Sequence, residues 1–230
     1  AGIIFVTAAA NDGKNNDKTD VYPANAGLPN MMTVAASNSS DAKPSWSNYG
    51  KAKVAIAAPG DAIVSTLPGN KLGNLSGTSM ATPLVAGLVA FLKAQDPTLT
   101  GAEIRSLMQT TGAKVNIETA CNCRIDALSA VDTLIAKKAW MVPAAATVAA
   151  QATVQFKMKN SAGSVKFESS NPSIATIDAN GLMTAVSQGT VQIKATDASG
   201  ATAQTLDINV GKGSSSTPPS DPSNPSDPTQ

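Results

Sequence analysis

The chain has 230 residues, of which 42% are hydrophobic and 14% are charged, with 17 Lys and Arg residues against 16 Asp and Glu. A net charge of +1 excludes the strongly basic surface that nucleic acid binding needs, and no apolar run reaches the ~18 residues of a membrane-spanning helix. The sequence contains no histidine, which excludes histidine-based zinc sites and a Ser-His-Asp triad built from these residues alone.

Short apolar runs in the first 60 residues predict strands that are buried on both faces. Ala1–Thr7, Met31–Ala36 and Val54–Ala58 are such runs, bounded by Pro, Gly and Asn, and the polar residues 11–20 predict a loop. The first run has no charged segment before it, so it is not a signal peptide. Because a protein rarely begins on a buried strand, we expect residues upstream of Ala1, either missing or on another chain.

Two helices are predicted next. The first follows Gly77 and ends before Asp96-Pro97, and apolar residues recur at helical spacing along it: Met80, Leu84, Val85, Leu88, Val89 and Leu92. The second begins at Thr100, which forms a capping box with Glu103, and ends at Gly112.

A third helix is predicted from Ile125 to about Lys138. Its expected apolar face consists of Ile125, Leu128, Val131, Leu134 and Ile135. Lys137 and Lys138 would lie at the negative end of its dipole. Strands followed by packed helices predict an α/β domain over residues 1–138.

Beyond Trp140 the period of the pattern changes from 3.6 to 2. Apolar and polar residues alternate in Thr190–Thr196, which predicts a strand with one exposed face. Asn180-Gly181 predicts a tight hairpin between Ile174–Asp178 and Leu182–Val186. We expect a small all-β domain over residues 139–211, followed by a Ser/Pro-rich disordered linker over residues 212–230.

The segment from Asn74 to Gly87 carries the candidate chemistry. Ser79 follows Gly77 at the start of the first helix, where its hydroxyl is exposed and backbone N–H groups point at a developing anion. An isolated serine at this position is more often a helix cap than a nucleophile.

The string Gly77-Thr-Ser-Met-Ala-Thr-Pro83 resembles the nucleophile motif of the subtilisin-like serine proteases, the subtilases. The resemblance implies that Ser79 is the catalytic nucleophile, with Gly77 and Thr78 beside the substrate. Ala8-Ala-Ala-Asn11-Asp-Gly13 resembles the oxyanion segment of the family, which implies that Asn11 donates to the tetrahedral intermediate and that Ala8, Ala9 and Ala10 contact substrate. Further landmarks are Tyr22–Ala24, Ser47–Gly50, Ala57–Gly60 and Ile63–Thr66.

By this resemblance, residues 1–138 correspond to the C-terminal half of a subtilase catalytic domain, with a parallel α/β sheet and a central buried helix after the nucleophile. The segments that carry the catalytic Asp and His of the family precede the oxyanion segment. We therefore expect a complementary N-terminal segment or separate chain to supply them, and this chain alone to be inactive. Ala10 and Leu84 stand where many members have glycine and histidine.

Two small groups of residues suggest further sites. Cys121-Asn-Cys123 is consistent with a local or cross-segment disulfide, with free thiols or with a metal site, in decreasing order of preference, because a single Cys-x-Cys supplies only two ligands. Subtilases often bind calcium, and Asp12, Asp17 and Asp20 lie in one loop. Their spacing does not fit an EF-hand, so a solvated loop is favoured and no metal ligand is assigned.

The β domain has its own resemblance. Phe167–Asp178, Asn180–Val186 and Gly189–Asp197 are similar to the bacterial Ig-like domains of group 2, which serve as spacers or adhesive units in surface and secreted proteins. The two resemblances imply a secreted or cell-surface serine endopeptidase that hydrolyses extracellular polypeptides. The alternative is a catalytically inert protease fragment or a surface-binding module that acts through its Ig-like domain.

Overall fold

A computed structural model describes residues 3–28 and 30–211, so the predicted linker over residues 212–230 lies outside the described residues. Within the described ranges, no helix has the length and apolar character to cross a membrane. The described residues form an α/β region followed by a strand-rich region.

A five-stranded sheet organises the α/β region. Its strands, in spatial order, are β1 (Phe5–Ala8), β2 (Met31–Ser37), β3 (Ile56–Pro59), β7 (Cys123–Arg124) and β6 (Ala113–Lys114). The first four strands are parallel, and β6 is antiparallel to β7. Three strands therefore lie where they are predicted, with shifted boundaries. The prediction that all three are buried on both faces was wrong for β1, which lies at the edge of the described sheet and has Phe5 45% exposed.

Helices cover this sheet, and a hairpin precedes the first of them. The hairpin pairs β4 (Ile63–Leu67) with β5 (Lys71–Leu75). The helices are α1 (Thr78–Gln95), α2 (Gly101–Thr111) and α3 (Ala127–Ile135). All seven residues of β2 are buried because the sheet has a core on each face.

The apolar residues that recur at helical spacing along α1 are not all buried. Val85, Leu88 and Leu92 pack into the core, whereas Leu84 is 41% exposed. Phe91 is also exposed, and both side chains line an apolar groove between α1 and α3. One side of α1 is therefore without a packing partner among the described residues.

Helix α3 is shorter than predicted at both ends. Asp126 caps its N-terminus by accepting a hydrogen bond from the Ser129 N–H at 2.9 Å, and Lys137 has a left-handed φ of 50° just after its last turn. The predicted apolar face was wrong in part, because Leu128 and Ile135 are 71% and 65% exposed while Ala130 and Leu134 are buried.

Eleven short strands make up the described part of the strand-rich region, which has a core of its own. They are β8 (Trp140–Val142), β9 (Ala146–Ala149), β10 (Thr153–Gln155), β11 (Lys157–Lys159), β12 (Val165–Ser169), β13 (Ala175–Ile177), β14 (Leu182–Ala185), β15 (Gly189–Val191), β16 (Ile193–Asp197), β17 (Thr202–Gln204) and β18 (Ile208–Gly211). They pair as β10-β14-β13, β11-β8, β12-β16-β17 and β15-β18-β9.

Two local predictions for this region need correction. The predicted strand over Thr190–Thr196 is divided at Gln192, because β15 pairs with β18 whereas β16 pairs with β12 and β17, so the chain changes sheets there. The predicted hairpin exists between β13 and β14, but its loop is longer than a two-residue turn. Only Gly181 of the Asn-Gly pair has a positive φ, and Asp178 accepts the N–H groups of Asn180 and Leu182.

Cys121 and Cys123 form a local disulfide, one of the alternatives left open by the sequence. Both cysteines are buried in the core of the α/β region. The bridge lies at the start of β7, the strand that connects the central sheet to α3.

The strand-rich region packs directly against α2. Trp140 and Val142 of β8 belong to the core of the α/β region, and Leu206 packs against the same core. The Ala144 N–H donates to the Ser106 hydroxyl across the junction at 3.2 Å. The two regions therefore share apolar surface as well as a covalent connection.

Glu103 adds an ionic contact to this junction. It is the capping-box residue predicted from the sequence, and its carboxylate accepts hydrogen bonds from the Thr100 N–H and hydroxyl. Its other oxygen lies 3.1 Å from Lys157 Nζ and 3.2 Å from Lys159 Nζ. Burial alone would raise the pKa of Glu103, but these hydrogen bonds outweigh it and lower the pKa to about 2.

We expect this carboxylate to make the protein acid-sensitive. Because its folded-state pKa lies below its ordinary value of 4.5, Glu103 stabilises the fold above that value, and the stabilisation is lost as the pH falls from about 5 towards 2. The full contribution is of order 3 kcal/mol. Glu103→Gln should lower the free energy of unfolding at pH 7 and flatten the acid side of its pH dependence, as measured by urea denaturation between pH 3 and 7.

Glu168→Gln provides the matched control. Glu168 pairs with Lys166, but both side chains are exposed, so solvent screens the pair. Its replacement should leave the pH dependence almost unchanged. Equal effects of the two replacements would show that the Glu103 cluster is no more important than a surface ion pair.

Candidate active site

Ser79 is exposed on the first turn of α1, where the sequence predicts it. Gly77 is the N-cap residue and has no side chain to cap this helix end, and Ser79 is not acting as a cap. The Thr78 N–H is bonded to the Asn11 side chain and the Met80 N–H to the Gly77 carbonyl, which leaves the Ser79 N–H beside an exposed hydroxyl, an arrangement suited to stabilising a negatively charged oxygen.

Asn11 lies beside this helix start, although 67 residues separate it from Thr78. Its Oδ1 accepts hydrogen bonds from the Thr78 N–H at 2.8 Å and from the Thr78 hydroxyl at 3.0 Å. These two contacts fix the orientation of the side-chain amide. With Oδ1 so engaged, Nδ2 is the amide atom left to donate to a ligand.

Two N–H donors, Asn11 Nδ2 and the Ser79 backbone N–H, lie near Gly77. A methyl carbon placed on Gly77 would lie 3.4 Å from Asn11 Nδ2 and 3.7 Å from the backbone nitrogen of Ser79. Two N–H donors therefore border one small space, which the glycine leaves open. The φ of Gly77 is 163°, extended backbone that any residue adopts, so the glycine provides room rather than a special conformation.

A second glycine, Gly60, lets the segment that leads into α1 pack closely against the end of β3. The Gly77 N–H donates to the Gly60 carbonyl at 2.8 Å. A side chain on Gly60 would lie 2.7 Å from the Ala36 methyl group and 2.8 Å from the Gly77 carbonyl oxygen. Gly60 is the last residue of the Ala57–Gly60 landmark, so the packing gives that landmark a physical reason.

The backbone before Asn11 is held in an unfavourable conformation. Ala10 has a φ of 88°, in the left-handed region that favours glycine. An alanine therefore adopts, at this position, a conformation in which glycine would be unstrained. The Asn48 N–H donates to the Ala10 carbonyl at 3.0 Å and holds this conformation in place.

Two buried asparagines support the loop, and the sequence analysis assigned them no role. Asn48 Oδ1 accepts from the N–H groups of Asp12 and Lys14, and its Nδ2 donates to Asn16 Oδ1 at 2.9 Å. Asn16 in turn donates to the Ala9 carbonyl at 3.0 Å. The only sequence signal for Asn48 was its place in the Ser47–Gly50 landmark, and its burial appears only in the structure.

The remaining candidates for substrate contact differ in exposure. Ala8 is half-buried at the end of β1, whereas Ala9 is fully buried and Thr78 is buried beneath Asn11. The Ala9 N–H donates to Val34, and its carbonyl accepts from Asn16. Of the three alanines, Ala9 thus has no free backbone group for a substrate.

The three aspartates of the same loop do not form one cluster. Both carboxylate oxygens of Asp17 accept backbone N–H groups, from Ala52 at 3.0 and 3.1 Å and from Lys53 at 2.9 Å. Asp12 and Asp20 do not join it in a cluster, since no group of three His, Cys, Asp or Glu residues in the described ranges could hold a metal ion. Asp17 instead connects this loop to the segment before β3.

Comparisons with known proteins match two families along the chain. Residues 1–139 match the model of the subtilase family, and residues 133–208 match that of the bacterial Ig-like domain (group 2). Subtilisin E of Bacillus subtilis (strain 168) is 41% identical over 112 residues, which are 48% of this chain and 29% of that protein. The cuticle-degrading protease of Metarhizium anisopliae is 40% identical over 114 residues, 50% of this chain and 28% of that protein.

The solved structure of a protease is also similar to this chain. A protease from Pseudoalteromonas arctica PAMC 21717 superposes with a TM-score of 0.52 and 29% sequence identity, covering 58% of this chain and 43% of that chain. The chain thus spans less than a third of these two curated relatives and less than half of this solved structure.

Proposed function

We propose, from the premise that the chain belongs to the subtilase family, that it carries the nucleophile and oxyanion donors of a secreted serine endopeptidase. Ser79 is the nucleophile, and Asn11 Nδ2 and the Ser79 N–H stabilise the oxyanion. The observation that carries this proposal is the open space above Gly77, bordered by both donors and next to an exposed serine. The substrate is an extracellular polypeptide.

In the proposed reaction, Ser79 Oγ bonds to the scissile carbonyl carbon and its proton passes to a histidine. The carbonyl oxygen becomes an oxyanion, which accepts hydrogen bonds from Asn11 and from the Ser79 N–H. Collapse of the intermediate breaks the C–N bond, and the histidine returns the proton to the leaving amine. Water then hydrolyses the acyl-enzyme by the same steps.

The histidine and its aspartate partner come from outside these 230 residues, because the sequence contains no histidine. We propose that a complementary subtilase segment or chain supplies both. Two features support its docking here: within the described residues β1 pairs only with β2, which leaves a sheet edge open, and the groove between α1 and α3 exposes Leu84 and Phe91. Both features adjoin the helix that carries Ser79.

The proposed domains are a subtilase half over residues 1–138, an Ig-like domain over residues 139–211 and a linker over residues 212–230. The contacts of Trp140, Val142 and Leu206 with the α/β core support an Ig-like domain that is anchored to the protease part. These contacts fix the orientation of the Ig-like domain relative to the protease part, which fits a role as a spacer. An adhesive role receives no specific support, since Trp140 is buried.

Labelling with a fluorophosphonate tests the proposal, because only an activated serine reacts appreciably. The purified 230-residue chain and the complete protease, which carries the Asp and His, would be treated in parallel, and the adduct mapped by mass spectrometry. We expect an adduct on Ser79 in the complete protease and none on the chain alone.

Each other outcome has a definite meaning. Labelling of a single-species preparation of the chain would refute the need for an outside histidine. A complete protease without label would refute the enzyme assignment and favour the inert or surface-binding alternative.

A further inference from the structure

Arg105 has an unusual position for a charged side chain. It projects from α2 into the junction with the strand-rich region and is only partly exposed. Its Nη1 donates to the Met31 carbonyl at 3.2 Å, and no carboxylate of the described residues lies within ion-pair distance. A guanidinium has five N–H donors, so most of its hydrogen-bonding capacity is unused by the described residues.

Two cavities meet at this guanidinium. The larger, of about 500 Å³, is lined by Arg105 and Lys157, and the smaller, of about 250 Å³, is lined by Arg105 and Lys53. In both, every charged lining residue is positive. Lys157 is already paired with Glu103, whereas the Lys53 ammonium makes no hydrogen bond to the described residues.

One acidic residue, Asp207, lies close to the smaller cavity without pairing with its positive groups. Asp207 and Lys51 line a crevice of about 20 Å³ that adjoins the smaller cavity at Ala52, Arg105, Ala146 and Thr147. Asp207 forms an ion pair with neither Arg105 nor Lys51 within the described residues. Burial lowers the pKa of Arg105, and no acidic neighbour offsets this effect. The cavity therefore has two positive lining residues, Arg105 and Lys53, and neither forms an ion pair among the described residues.

We propose that the smaller cavity is a binding site for a small-molecule carboxylate, held by the Arg105 guanidinium with Lys53 as the second positive group. The planar fork of arginine matches the two oxygens of a carboxylate, and a partly desolvated guanidinium binds such an anion more strongly than an exposed one. A recessed cavity of this size suits a small molecule rather than a macromolecular surface.

The residues that line this cavity come from both regions of the protein. Met31, Lys53 and Arg105 come from the α/β region, while Ala146 and Thr147 belong to β9 of the strand-rich region. An anion bound here contacts both regions, so binding stabilises their junction. The site is independent of the proposed peptidase chemistry and can be tested without it.

Calorimetric titration of the full 230-residue chain with sodium succinate tests the proposal, together with thermal melts in succinate and in sodium chloride of equal ionic strength. We expect saturable binding and a rise in Tm of several degrees that chloride does not reproduce. Sodium phosphate should bind at least several-fold more weakly than succinate. Tighter binding of phosphate would overturn the assignment to a carboxylate.

Variants separate the site from a general charge effect. Lys53→Gln changes an exposed side chain that the fold does not need, and it should weaken succinate binding about 10-fold. Arg105→Lys keeps the charge but removes the fork, and it should weaken binding further. Lys166→Gln, an exposed lysine of the strand-rich region, is the control and should bind as the unmodified chain does. No saturable binding, or binding unaffected by Lys53→Gln and Arg105→Lys, would overturn the proposal.

Discussion

Replacing Ser79 with alanine should remove essentially all peptide hydrolysis and all fluorophosphonate labelling from the complete protease. The hydroxyl is the atom that bonds to the scissile carbonyl in the proposed mechanism, and no other group in the oxyanion space can replace it. The scale comes from subtilisin itself, a relative of this chain, in which loss of the serine lowers kcat about 10⁶-fold. The measurement is the steady-state rate on a chromogenic peptide, with active-site titration to count competent molecules.

Thr82→Ala is the matched control for Ser79→Ala. Thr82 lies one turn later on α1 and its hydroxyl donates to the Thr78 carbonyl at 2.8 Å, so the change also removes one hydroxyl from the same helix. It should retain most of the activity. Because Ser79 is exposed, Ser79→Ala should have nearly the Tm of the unmodified protein, whereas Thr82→Ala should lower the Tm slightly through its lost hydrogen bond. Substantial hydrolysis by Ser79→Ala would assign the nucleophile to another residue.

Much of the fold could be predicted because its signals are local. The start of α2 follows from Thr100 and Glu103, two residues that satisfy each other's backbone groups and need no information from elsewhere in the chain. The strand at Met31–Ser37 follows from an apolar run that only a sheet covered on both faces accommodates. These elements depend little on what surrounds them.

Other elements depend on what packs against them, and their prediction failed there. Leu128 and Ile135 have the spacing of a buried face, yet they are exposed, because burial requires a partner surface as well as periodicity. The break at Gln192 likewise arises from the two sheets that the flanking strands join. The alternation of apolar and polar residues along one strand does not indicate which other strand it pairs with.

The candidate site shows the same division. Family resemblance identified Ser79 and Asn11, whereas periodicity alone would have left Ser79 as a helix cap. The contact between Asn11 and Thr78 and the Asn16-Asn48 pair join residues 67 and 32 positions apart in the chain. No local pattern encodes such contacts, so the positioning residues of the site appear only in the folded structure.

Asn11→Ala should reduce kcat of the complete protease by 10² to 10³-fold while changing KM little. The amide donates only when the carbonyl oxygen becomes negatively charged, so its loss affects the transition state more than the bound substrate. That range is the value known for subtilisin itself, a member of the same family. Two donors border the space above Gly77, and the Ser79 N–H remains in the variant, so the rate should not fall as far as in Ser79→Ala.

Asn11→Asp distinguishes donation from simple loop support. The aspartate keeps an oxygen that accepts the Thr78 N–H and hydroxyl, so the loop should stay in place, but it has no N–H to donate and its charge repels an oxyanion. It should therefore lose at least as much kcat as Asn11→Ala, with a Tm close to that of the unmodified protein. Asn209→Ala, a comparable change in the strand-rich region, should leave kcat unaltered. If Asn11→Asp were active and only Asn11→Ala impaired, Asn11 would be a structural residue of the loop, and the Ser79 N–H would be the remaining oxyanion donor.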